Sequence, residues 1–85
     1  MAYAYIVEKY AYKAVMADQV FNRIKAVLAE KGRTNNWLAE TLEMNRNTVS
    51  KWCTNQMQPT IETLFKIAQA LDVEARDLLV LRKTK

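Results

Sequence analysis

Thr34-Asn35-Asn36-Trp37-Leu38-Ala39-Glu40-Thr41-Leu42-Glu43-Met44-Asn45-Arg46-Asn47-Thr48-Val49-Ser50-Lys51-Trp52-Cys53-Thr54-Asn55 holds two short helices and very little between them. Thr34 is a good N-cap residue, and Leu38, Ala39 and Leu42 share a face behind it, which predicts a helix of about nine residues ending near Glu43. Asn45 is a second N-cap, and Val49, Trp52 and Cys53 form a stripe at i, i+3 and i+4. Only Glu43, Met44 and Asn45 lie between the two helices, so they must meet at a steep angle. Any small helical bundle contains short connections, and the spacing alone leaves open whether this angle serves a ligand or only the core.

Upstream, Asp18 is a plausible N-cap for a helix carrying Phe21, Ile24, Val27 and Leu28 on one face, closed by Lys31 and Gly32. Downstream, Pro59 breaks the pattern, Thr60 caps again, and Leu64, Ile67, Ala68 and Leu71 follow the i, i+3, i+4, i+7 rule. A shorter fifth helix is expected from about Glu74 through Leu78, Leu79 and Leu81. The fold class is thus all-α with five helices over residues 18–81, preceded by an extension, residues 1–17, and followed by the basic tail 82–85. The extension contains all four tyrosines, Tyr3, Tyr5, Tyr10 and Tyr12. Tyr3, Tyr5 and Val7 fit a strand as well as Tyr3, Val7, Tyr10 and Ala14 fit a helix, and an unstructured arm is the third reading.

Eighty-five residues make one small domain, and 51% hydrophobic with 26% charged residues is a folding composition. The chain has no histidine, one cysteine and one glycine. Imidazole bases, Ser-His and Cys-His pairs, multi-cysteine zinc sites, internal disulfides and glycine-rich phosphate loops are all excluded. No enzyme activity, cofactor or metal is expected. No stretch approaches the roughly 20 apolar residues of a membrane span, and the N-terminus is unlike a signal peptide, so a cytoplasmic protein without membrane attachment is expected. The net charge of +4 permits an anionic partner without requiring one.

The third helix supplies the chemistry. Once its apolar stripe is set aside, Arg46, Asn47, Thr48, Ser50, Lys51, Thr54 and Asn55 remain as hydrogen-bonding groups. No carboxylate occurs from Met44 through Ile61, where about two would be expected from nine acids in the chain. A merely solvated helix would mix both signs. Arg can bond a guanine edge with both prongs, Asn can do the same to adenine, and Ser or Thr can bond a base or a phosphate. Thr34, Asn35 and Asn36 set short polar side chains beside the unpaired N–H groups of a helix start, an arrangement suited to phosphate. Thr54, Asn55 and Gln56 could grip the backbone on the other side. Trp52 and Cys53 are read as core residues, and Trp37 either packs on the first helix or borders the contact.

From about Asn22 to Val80 the chain resembles the Cro and lambda-repressor type, or XRE family, of helix-turn-helix proteins. The resemblance lies in Lys31-Gly32-Arg33-Thr34, Trp37-Leu38-Ala39-Glu40, Asn45 through Trp52, Pro59 through Leu64, and Ile67 through Val73, in that order and spacing. It implies a five-helix DNA-binding domain whose third helix enters the major groove. The family's base-reading positions then fall on Arg46, Asn47, Ser50 and Lys51, and its phosphate-gripping position on Asn35; with the polar residues around them, the expected phosphate contacts are Thr34, Asn35, Asn36, Thr48, Thr54, Asn55 and Gln56. Asn35 is one methylene shorter than the family's frequent glutamine. Glu43 stands where the family usually has glycine, so the turn either differs or carries a left-handed penalty of roughly 1 kcal/mol. Asn55 also replaces a common glycine, and asparagine tolerates that conformation.

The expected function is a sequence-specific regulator of transcription, a repressor, acting on double-stranded DNA as a homodimer. The alternative is a protein that works mainly through partner contacts, as the antitoxin of a toxin partner or as an adaptor whose tyrosine-rich N-terminus docks on a partner protein.

Overall fold

Each of three helices begins at a side-chain cap and ends in a left-handed residue. The computed structural model describes residues 20–81. Helix α1 spans Ile24–Glu30, α2 Asn35–Leu42, α3 Arg46–Cys53 and α4 Ile61–Leu71. Thr34 Oγ1 accepts from the Trp37 N–H at 3.0 Å, and Thr60 Oγ1 accepts from Thr63 N–H at 3.1 Å. Asn45 Oδ1 accepts from Asn47 N–H at 2.7 Å. Each satisfies a donor that the helix itself leaves unpaired.

All four helices stop in the same way. Gly32, Glu43, Asn55 and Asp72 have φ of 65, 54, 59 and 57°. The next residue's N–H then reaches back five positions: Arg33 to Leu28, Met44 to Ala39, Gln56 to Lys51 and Val73 to Ala68, at 2.8 to 3.0 Å. This is the Schellman closure, and only one of its four left-handed positions is a glycine. The turn between α2 and α3 therefore keeps the left-handed geometry, with Glu43 carrying its strain.

Two expectations need correction. The first helix starts at Ile24, not after Asp18, which lies outside the described residues. Phe21 to Arg23 stay out of the helix because their backbone groups find tertiary partners: Arg23 N–H donates to Leu78 O at 2.8 Å, and Phe21 O accepts from Val80 N–H at 2.9 Å. The fifth helix is likewise a single 3-10 turn, Ala75–Leu78. Leu79 leaves it in extended conformation and pairs antiparallel with Asn22. The described fold is thus four α-helices and one 3-10 turn, with its two ends joined by a short antiparallel bridge. The expected extension 1–17 and basic tail 82–85 lie outside the described residues.

The core is Ile24, Val27 and Leu28 from α1, Leu38 and Ala39 from α2, Val49, Trp52 and Cys53 from α3, Leu64, Ile67, Ala68 and Leu71 from α4, and Leu78. Burying each large aliphatic contributes roughly 1.5 to 3 kcal/mol before entropy is charged against it. Leu42 and Trp37 are only partly buried, at the margin of this core. Helix α2 packs on both α3 and α4, which fixes the steep α2–α3 pair from behind.

Candidate nucleic-acid interface

Helix α3 has two unlike sides. Val49, Trp52 and Cys53 are 0, 3 and 6% exposed, whereas Arg46, Asn47, Ser50 and Lys51 are exposed. Packing the stripe inward leaves these four polar side chains on the outside of one eight-residue helix. At 1.5 Å per residue the helix is about 12 Å long, and with side chains about 10 to 12 Å across, which matches a major groove about 12 Å wide. Neither α2 nor α3 has an acid in its own first turn, which leaves the positive end of each helix dipole unopposed from within that turn.

The expected contact residues differ in how free they are. Asn36 is exposed and its side chain has no hydrogen-bond partner among the described residues. Thr34 is exposed but its hydroxyl oxygen is already the cap of α2. Thr48 is half-buried. Thr54 donates its hydroxyl to Ser50 O at 3.0 Å and accepts from Gln56 Nε2 at 3.0 Å, so the two residues support each other at the end of α3. Asn35 is half-buried, and its Oδ1 accepts from Cys53 Sγ at 3.2 Å. Burial pushes the Cys53 thiol above its ordinary pKa, and the Lys25 charge only partly opposes this, so the sulfur keeps its proton.

Asn55, read from the sequence as a phosphate contact, also has a task within the fold. Its Oδ1 accepts from the N–H groups of Phe21 and Asn22 at 2.9 and 3.0 Å, and its Nδ2 donates to Asn22 O at 3.1 Å. The carboxamide oxygen and one of its amide hydrogens are thus engaged within the protein. Asn22, 3% exposed, completes the pin: its Nδ2 donates to Trp52 O at 2.9 Å and to Gln58 Oε1 at 2.7 Å, and its Oδ1 accepts from Ile24 N–H at 3.0 Å. The incoming segment is thereby fastened to the C-terminal end of α3.

Sequence reasoning missed this pin. Asn22 lies 33 positions from Asn55, and no local pattern joins them. It also missed Glu40, whose Oε1 lies 3.7 Å from Arg46 Nη2. Both side chains are mostly exposed, so this ion pair is worth at most about 1 kcal/mol and can be exchanged for another partner. Trp37 is half-buried on the core, with the Arg33 guanidinium 4.6 Å from its ring centroid, which agrees with a packing role.

Among the described residues no cluster of His, Cys, Asp or Glu could hold a metal, and no helix is long and apolar enough to cross a membrane. Among curated proteins, no match to the chain is found. Among solved structures, the chain is similar to a putative DNA-binding protein from Bacteroides fragilis. The two share 52% identity over 69% of this chain and 95% of that one, with a TM-score of 0.69. The model of the helix-turn-helix family matches residues 24–78, which covers all four helices and the 3-10 turn. The chain belongs to the XRE-type helix-turn-helix family.

Proposed function

We propose that this protein is a sequence-specific double-stranded DNA-binding regulator of transcription, a repressor, that reads the major groove with α3. One observation carries the proposal: the outer face of α3 presents Arg46, Asn47, Ser50 and Lys51 with no carboxylate in the helix, while its inner face is locked into the core. Arg46 and Asn47 would make two-pronged contacts to guanine and adenine edges, and Ser50 and Lys51 would contact neighbouring bases. Asn35 and Asn36 at the start of α2, with Thr34, Thr48, Thr54 and Gln56, grip phosphates and set the register. Asn55 supports them from within the protein. The Bacteroides fragilis neighbour's name, at 52% identity, supports the same reading.

One domain of this size reads few base pairs, so the functional species is a homodimer with its α3 helices about 34 Å apart on a near-palindromic site. Acting on DNA, it works in the cytoplasm. The test is selection of bound duplexes from a random pool, then binding of the selected and a scrambled duplex at two salt concentrations. A selected half-site motif with tighter binding than the scrambled duplex is expected. Recovery of no motif would defeat the reading.

A second reading, an antitoxin or adaptor working through a partner protein, draws on Ile61 and Phe65. They lie one turn apart on α4 and are 70 and 62% exposed. A toxin partner would cover them, and so would a second copy of this chain. Co-purification of a stoichiometric partner that is lost in Phe65→Ser would favour this reading.

A further inference from the structure

The thiol of Cys53 closes α3 on the same side on which Asn35 opens α2. Asn35 is the first residue of α2, beside N–H groups that the helix leaves unpaired. Its carboxamide has an acceptor at one end and two donors at the other. The acceptor, Oδ1, is taken by Cys53 Sγ at 3.2 Å. The donor end, Nδ2, has no partner among the described residues. Cys53 itself is 6% exposed and belongs to the core, so its position is set by packing and not by solvent.

We propose that Cys53 is a positioning residue for the DNA contact: by donating to Oδ1 it fixes the Asn35 carboxamide with Nδ2 turned outward, toward a phosphate. This rests on the DNA-binding reading above. The physical reason is that the terminal torsion of asparagine is broad, and a half-turn about it interchanges oxygen and nitrogen. With the thiol in place the two orientations differ, because only one of them satisfies the S–H. Without it, the amide can turn its lone pairs toward the phosphate, where they repel. The thiol is protonated at neutral pH, as burial requires, and remains a donor. A weak S–H bond suffices, since it has only to bias one torsion.

The test uses the full chain and four variants: Asn35→Ala, Cys53→Ser, Cys53→Ala and Cys53→Val. Serine keeps a donor, alanine removes it, and valine removes it while filling the space. Binding to the selected duplex and to the scrambled one is measured well below the melting temperature of each variant. Alanine and valine at position 53 are expected to weaken binding to both duplexes by about two- to fivefold, and serine to restore most of the loss. In the Asn35→Ala background the same substitutions are expected to change nothing further. In the free protein, the Asn35 side-chain amide signals are expected to keep nearly the same chemical shifts in wild type and in Cys53→Ser, and to move in Cys53→Ala, where the two orientations about the terminal torsion are averaged. Losses that persist without the Asn35 amide, or Asn35 signals indifferent to position 53, would overturn the positioning role while leaving DNA binding intact. Absence of DNA binding by the wild-type chain would overturn both.

Discussion

Replacing Asn55 by glycine makes a sharp test of how the recognition helix is held, because two effects of opposite sign meet at one residue. Its φ of 59° is in the left-handed region that glycine adopts freely, and the family pattern favours glycine there. Relief of that strain is worth about 0.5 kcal/mol for asparagine, which tolerates the region, and the extra freedom of glycine in the unfolded chain takes back about the same. The carboxamide then decides the outcome. Its loss leaves the N–H groups of Phe21 and Asn22 without their acceptor and Asn22 O without its donor. These groups are partly buried, so water replaces the bonds incompletely, and the cost is about 2 to 3 kcal/mol. For a domain of this size that is a fall in melting temperature of roughly 10 to 20 °C.

Glu43→Gly is the matched control. Glu43 has φ of 54° at the equivalent position after α2, is exposed, and has no side-chain hydrogen bond among the described residues. Here strain relief exceeds the unfolded-state cost, and a gain of about 0.5 kcal/mol is expected. Thermal unfolding followed by circular dichroism reads both variants. If Asn55→Gly melts at or above wild type, or if the two substitutions shift the melting temperature in the same direction, the pin between Asn55 and the incoming segment is not what holds this end of α3.

Three further outcomes are expected. Arg46→Ala should cost roughly 1 to 3 kcal/mol on the selected duplex and relax preference at one base pair; equal losses on a scrambled duplex would refute base reading. Glu40→Gln frees Arg46 from the carboxylate 3.7 Å away and removes a negative charge near the DNA, so affinity for scrambled duplex should rise about two- to threefold with stability changed by less than about 1 kcal/mol. An unchanged affinity would mean that Glu40 does not restrain Arg46. The Cys53 thiol is raised above its ordinary 9.0 by burial. Below that pH both folded and unfolded chains hold the proton, and above it the unfolded chain ionises first, so stability should fall as pH rises from about 8 toward 10. Cys53→Ser should show a shallower decline, and an identical pH profile would contradict a buried, protonated thiol.

The starts of α2, α3 and α4 were legible because caps and stripes act over three or four residues. Thr34, Asn45 and Thr60 each bond an N–H two or three positions ahead, and a left-handed residue follows each helix. The two faces of α3 were legible for the same reason: one helical period sorts Val49, Trp52 and Cys53 from Arg46, Asn47, Ser50 and Lys51. The start of α1 was not legible, since Phe21 continues the apolar rhythm of Ile24, Val27 and Leu28.

What stops that helix is a set of partners far along the chain, Leu78, Val80 and Asn55, and the same pairing draws Leu79 out of the expected last helix. Asn55 shows the division most clearly. From the sequence it is a polar residue on a polar loop, suited to phosphate; in the folded chain its amide is spent on a segment 33 and 34 residues away. Cys53 with Asn35 and Glu40 with Arg46 follow the same rule. The sequence by itself determined which residues would coil, where three of the helices begin, and which side of α3 faces the core, because those choices are settled between near neighbours. Which polar side chains remain free for a ligand was decided only by the tertiary structure, because a hydrogen bond is claimed by whichever partner the fold brings within about 3 Å.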